Sequence, residues 1–190
     1  MKEIVLIRHA QTAMAGRFCG HSDPDLNAAG EMQLARIVER VRPLEIDRIV
    51  SSDLRRASRT AQAIGQRIGR DPEFRQGLRE IHFGLWEGIS WNEITARFPR
   101  EAQTWITDFP INAPQGEPYP EFCARVEAEF HSLLRDSASR VTAVVTHRGP
   151  MTYGLMKFFG RNEQEAFEQT AAYGAVIVVA NAPTLQKAVP

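Results

Sequence analysis

The sequence predicts an α/β fold, a three-layer sandwich with a mostly parallel central sheet, helices on both faces of that sheet and a small cap insert. Three observations predict it. Residues 4–7, 46–50, 141–145 and 175–179 form short runs rich in β-branched residues and nearly continuous in apolar character, as strands read when both faces are covered. Segments of helical period lie between these runs. The order is strand, helix, strand, helix, a longer insert, then helix, strand, helix, strand, and no internal repeat interrupts it.

The first run ends on Arg8 and His9. Asn27 then offers a helix N-cap side chain, and Leu34, Ile37, Val38 and Val41 follow on one apolar stripe. The second run leads into Ser51-Ser52-Asp53-Leu54-Arg55-Arg56, with a helix expected to begin after Asp53. Trp86, Trp91 and Trp105 all fall in the insert, about residues 77–120. It is expected to cap one sheet edge within a single domain spanning 1–190. Phe122, Val126, Phe130, Leu133 and Leu134 return to helical spacing. The third run leads into Thr146-His147-Arg148-Gly149, with a helix expected after Gly149, and the fourth closes the sheet.

Composition bounds the function. With 190 residues, 23 Lys+Arg against 23 Asp+Glu, 43% hydrophobic and 24% charged residues, the chain has the profile of one soluble globular domain. A zero net charge excludes the broad basic footprint of a non-specific nucleic-acid or anionic-membrane binder. Only four apolar residues in a row precede Arg8, too few for a signal-peptide core. The most apolar later stretch, residues 171–180, is half the roughly 20 residues a membrane helix needs. Cys19 and Cys123 fit reduced thiols better than a disulfide. A cytoplasmic protein with no nucleic-acid or membrane partner is expected, and a homodimer stays open.

Ligands of open α/β sheets bind beyond the carboxyl ends of the strands, and here three strand ends carry Arg, His or both. Two histidines and two arginines converging there make a small cationic cavity, whose natural occupant is a phosphate. Helix starts after Asp53 and Gly149 would aim further N–H groups at it. Adjacent strand residues face opposite ways, so Arg8 and His9 reach one ligand only if the strand curls into its loop at that point. Arginines beside a histidine lower its pKa, and neutral imidazole is a competent nucleophile toward phosphorus. No metal-ligand spacing, phosphate-cradling Gly-rich Lys-Ser/Thr loop or cysteine-phosphatase loop around Cys19 is present in the sequence. No cofactor is expected.

Arg8-His9-Ala10-Gln11-Thr12 resembles the signature of the histidine phosphatase superfamily, the phosphoglycerate mutase-like phosphatases. The resemblance extends through Gly20-His21-Ser22-Asp23-Pro24-Asp25-Leu26-Asn27, Ser51-Ser52-Asp53-Leu54-Arg55-Arg56-Ala57, Leu78-Arg79-Glu80, Trp86-Glu87-Gly88 and Thr146-His147. It implies a phosphomonoester hydrolase in which His9 is the nucleophile, Arg8, Arg56 and His147 hold the phosphoryl oxygens, and Glu80 is the general acid and base. Glu87 competes with Glu80 for that role. The family pattern favours Arg56 over Arg55, which is left to solvent. Gln11, Thr12, Cys19 and Gly20 are implied to border the substrate, with Cys19 and Gly20 in a loop that closes over it.

Arg148 stands where many relatives carry glycine; it either binds a second anionic group of the substrate or pairs with a surface carboxylate. His21, His82 and His131 match no motif and read as structural. The substrate is expected to be a small phosphorylated metabolite, with α-ribazole 5'-phosphate a candidate. Trp86, Trp91, Trp105 and Tyr119 either shape a pocket for an apolar or aromatic leaving group or only pack the cap. A phosphoglycerate mutase and a non-catalytic phospho-ligand-binding module are the competing readings.

Overall fold

The computed structural model describes residues 3–107 and 112–180. Five strands, β1 (Glu3–Arg8), β2 (Arg48–Ser51), β3 (Glu73–Phe74), β4 (Val141–Thr146) and β5 (Val176–Ala180), form one sheet in the order β3-β2-β4-β1-β5. The pairs β1–β4, β2–β4 and β2–β3 are parallel, and β5 joins β1 antiparallel. The expected mostly parallel sheet is therefore observed, with the antiparallel strand at one edge. β4 is buried at all six positions, consistent with its unbroken apolar run, whereas β5 alternates more because it has one open edge.

Helices α1 (Ala28–Val41) and α2 (Arg55–Ile68) cover one face, and α5 (Tyr119–Arg135), α6 (Arg148–Phe159) and α7 (Glu163–Gln169) the other. Strand alternation divides the core between them. Val5, Ile7, Ala143 and Val145 meet Ile37, Ala57 and Ile64, while Ile4, Leu6 and Val144 meet Phe122, Val126, Phe130 and Met151. Asn27 caps α1 by accepting from Gly30 N at 2.8 Å, as expected. The insert holds α3 (Trp91–Arg97) and α4 (Pro99–Thr107). Its own apolar cluster centres on Trp86, Ile94, Ala102 and Ala113.

Some boundaries differ from expectation. The second strand begins at Arg48, two residues later than its apolar run, because Asp47 turns its carboxylate to the backbone N–H groups of Arg140 and Val141 at the start of β4. The pair Glu73–Phe74 is too short and too exposed to show as a run. The two site helices begin at Arg55 and Arg148. Their early N–H groups are taken by carboxylates: Arg55 N–H donates to Asp23 at 2.7 Å and Gly149 N–H to Glu80 at 3.0 Å. The expected anion cradle from those two N–H groups is not what they form.

The chain leaves β1 toward α1 on one face and leaves β4 toward α6 on the other. A crevice opens where neighbouring strands send their connections opposite ways. His9 and His147 follow those two strands directly.

Candidate active site

His9 lies just past β1, its ring centroid 5.0 Å from that of His147 just past β4. Its N–H still reaches the Thr146 carbonyl at 3.0 Å, and its own carbonyl accepts from Gly174 N–H. The strand ends between Arg8 and His9, so the two side chains can serve one site. His9 is 6% exposed. Its Nδ1 lies 2.7 Å from the Ala10 carbonyl, which can only accept, so the ring proton sits on Nδ1 and Nε2 keeps a lone pair. Burial first, then the positive charge of Arg56, holds the imidazole well below the ordinary histidine value. Neutral His9 with a basic Nε2 is the arrangement a nucleophile requires.

Arg56 is fully buried, which is tolerable for a guanidinium only when its N–H groups are met. Nε donates to His147 Nδ1 at 3.2 Å, Nη1 to the Ser22 carbonyl at 2.7 Å, and Nη2 to the carbonyls of Cys19 at 3.1 Å and Gly20 at 2.6 Å. His147 Nδ1 is thus an acceptor, and the proton on Nε2 goes to Ser52 Oγ at 2.9 Å. Burial and then Arg56 also keep this imidazole well below its usual range. Arg8 lies with Cζ 4.1 Å from the Tyr173 ring centroid, and its Nη1 donates to the Thr170 and Ala171 carbonyls. Its buried Nε–H has no acceptor among the described residues.

Glu80 accepts from Ile81 N–H at Oε1 and from Gly149 N–H at Oε2, both at 3.0 Å. Its segment is held by Arg125 of α5, a residue no sequence motif pointed to. Arg125 donates to the carbonyls of Gly77, Arg79 and Glu80 at 3.0, 2.7 and 2.9 Å, and its fork grips Glu117 at 2.6 and 2.7 Å. His21 Nε2–H also donates to the Glu80 carbonyl at 3.0 Å.

The competing carboxylate, Glu87, is saturated. It accepts backbone N–H groups from Gly20, His21, Ser22 and Phe83 at 2.9 to 3.1 Å. Burial works against its charge, yet the Ser22 hydroxyl and then the backbone bonds from Phe83, His21 and Ser22 carry its pKa below the usual carboxylate value. Glu87 and Arg56 therefore fix the Cys19–Ser22 loop from both sides, one through N–H groups and the other through carbonyls.

The remaining residues fall around this centre. Gln11 N–H donates to Gln33 at 2.8 Å, and the Thr12 hydroxyl accepts from Met14 N–H inside the turn. The Cys19 thiol points to the Ser22 carbonyl at 3.6 Å, and both cysteines are free. Arg55 is exposed and pairs with Asp25 at 3.3 Å. Arg148 meets Phe167 in place of a surface carboxylate, with Cζ 3.6 Å from the ring centroid.

A cavity of about 440 Å³ adjoins the cluster. Phe18, Phe83, Trp105, Tyr119, Phe122 and Phe167 wall it, and it meets the cluster through Glu80, Arg148 and Gly149 rather than through His9. Of the four aromatic residues considered for a pocket, Trp105 and Tyr119 line it, while Trp86 and Trp91 belong to the apolar cluster of the insert.

Comparison with known proteins agrees with this geometry. A protein of Salmonella arizonae named as a probable phosphoglycerate mutase is 35% identical over 155 residues, covering 77% of this chain and 70% of the relative. The structure of the α-ribazole phosphatase from Shigella flexneri superposes with a TM-score of 0.83 at 22% identity, covering 94% and 90% of the two chains, and so shares the fold. Mycobacterial glucosyl-3-phosphoglycerate phosphatase superposes with a TM-score of 0.80 at 26% identity, over 95% and 90%. The family model for the histidine phosphatase superfamily, branch 1, matches residues 4–185, and the chain belongs to that superfamily.

Proposed function

We propose that the protein is a metal-independent phosphomonoesterase that works through a phosphohistidine at His9. The observation that carries this reading is the His9 ring itself: neutral, protonated on Nδ1, with Nε2 free beside Arg8 and Arg56. Nε2 attacks phosphorus, the ester oxygen leaves, and Glu80 in its protonated form gives that oxygen its proton. Water then attacks the phosphohistidine, the Glu80 carboxylate takes the water proton, and phosphate departs from a regenerated His9. Arg8 and Arg56 offset the charge spread over the phosphoryl oxygens. His147 aims Arg56 through Nδ1, and its one N–H, on Nε2, goes to Ser52 Oγ and would reach a phosphoryl oxygen only by leaving that partner.

The saturation of Glu87 supports Glu80 as the general acid, since Glu80 alone of the two also lines the cavity. A leaving group whose oxygen lies between His9 and Glu80 extends into that cavity, which suits an apolar or aromatic body. α-Ribazole 5'-phosphate is such an ester. Two superposed structures are named as phosphatases, and the family itself includes mutases.

Initial rates on α-ribazole phosphate, sugar phosphates, phosphoglycerates and a phosphopeptide, with chelator present, test the reading. Turnover should persist with chelator, and an acid quench should trap a labile phosphoryl adduct that His9→Ala lacks. Unchanged turnover in His9→Ala would overturn the mechanism. The phosphoglycerate mutase reading is favoured by the name of the Salmonella relative. Phosphate release from 3-phosphoglycerate without its 2-isomer would dismiss it, and sustained interconversion would establish it.

A further inference from the structure

Arg148 stands between the cationic cluster and the aromatic cavity, and it is the only cation among the described residues lining that cavity. It opens α6, next to Gly149, whose N–H holds Glu80. Its guanidinium lies on the Phe167 ring, and Nη2 donates to the Phe167 carbonyl at 3.2 Å. Its buried Nε–H has no acceptor among the described residues. Glu80, the carboxylate whose charge acts on it, spends its oxygens on backbone N–H groups instead.

A buried donor left unmet costs its full desolvation. Two guanidinium groups of the described residues carry such an Nε–H, Arg8 and Arg148, and both interact electrostatically with Glu80. Arg8 belongs to the phosphoryl cluster. Arg148 lies on the cavity side, where the leaving group extends. Phe167 fixes the plane of its guanidinium in advance, so little freedom is lost when an oxyanion binds. Glu163 also lines the cavity and repels an anion, which makes Arg148 the one favourable seat for a second negative charge.

We propose that Arg148 binds a second oxyanion on the leaving group, so that the preferred substrates are phosphomonoesters with an apolar body and a carboxylate or second phosphoryl group near the ester linkage. This rests on the phosphatase reading of the same site, and it ranks α-ribazole 5'-phosphate, whose leaving group carries no second oxyanion, below the doubly charged esters. The orientation of Arg148 then selects among esters without taking part in the transfer: an uncharged leaving group fills the cavity but leaves the Nε–H unmet.

Kinetics on matched esters test it. Phenyl phosphate, meta-carboxyphenyl phosphate and meta-phenylene bisphosphate share one body and differ in the second group. Arg148→Ala should lower kcat/KM roughly 10- to 100-fold on one or both charged esters, with phenyl phosphate changed by less than about twofold. Arg148→Lys, which keeps charge but not the planar fork, should retain part of the preference. Which charged ester responds identifies the oxyanion.

Equal losses on all three esters would assign Arg148 to supporting Phe167 and α7 and overturn the proposal, as would no loss on any. Calorimetry with benzylphosphonate and meta-carboxybenzylphosphonate gives the same comparison without turnover. Failure of the wild type to hydrolyse any ester would sink the phosphatase reading alone. The ratio of the two phosphonate affinities, expected to fall toward one in Arg148→Ala, would still decide the role of Arg148.

Discussion

At the scale of single residues, one hydrogen bond decides which nitrogen of His9 reacts. The carbonyl of the next residue, Ala10, claims Nδ1–H, and Nε2 is left basic. The two carboxylates separate by the same logic of committed partners. Glu80→Gln should lower kcat by about 10²- to 10⁴-fold and, with two backbone donors in place of four, lower the thermal midpoint less than Glu87→Gln. Glu87→Gln places an amide N–H₂ among four backbone donors, so it should lower the midpoint clearly. Circular dichroism melts beside kcat for each variant check the assignment, and reversed effects would exchange the two roles. Gly149 is equally constrained: a Cβ there would lie 2.1 Å from Glu80 Oε1. Gly149→Ala should therefore cut kcat more than it raises KM. Arg8, His9 and His147 were legible in the sequence because they closely follow apolar runs, where a sheet presents its ligands, whereas Arg56, six residues past its run, was told from Arg55 only by the family pattern. Glu87 was legible only as a rival to Glu80, because its four partners come from residues 20–22 and from Phe83.

Among the elements, α5 carries a task its pattern hides. Phe122, Val126, Phe130 and Leu133 face the core as the helical spacing predicts. Arg125 sits between them in sequence and holds the backbone that carries Glu80. Arg125→Ala should lower kcat, and Arg125→Lys, with one point charge in place of a fork, should restore only part of it. A fall in kcat with KM and the thermal midpoint nearly held in Arg125→Ala would show that Glu80 has moved, whereas loss of folded protein without a fall in kcat per folded molecule would reduce Arg125 to a structural role. No local motif announces this residue, since the carbonyls it holds lie 45 to 48 residues away. The strands show the opposite case. β1 and β4 were legible as runs because both faces are apolar, while β3 has only two exposed residues and exists through its pairing with β2.

For the whole molecule, the two buried histidines tie stability to pH. Both have folded-state pKa values below the 6.5 of an ordinary histidine, through burial first and Arg56 second. Below that value the unfolded chain takes up protons that the folded chain refuses, so stability falls as pH falls and recovers as pH rises. Each histidine contributes a slope of at most about 1.4 kcal/mol per pH unit. Urea midpoints between about pH 7.5 and 5.5 should drop accordingly, and His9→Gln should flatten the drop; a slope unchanged by that substitution would show that His9 does not titrate this way. The zero net charge holds no hint of this, because it counts charged residue types with histidine taken as neutral and carries no record of burial.

The strand order also has a consequence for synthesis. β4 lies between β1 and β2, and residues 3–8 wait for residues 141–146 before they pair in parallel. A nascent chain that stops at Arg135 holds β1 and β2 without the strand that joins them, and holds His9 and Arg56 without His147. Closing so long a loop is entropically costly and slow. Ribosome-bound chains of that length should remain open to protease, and protection should appear only once β4 has left the exit tunnel.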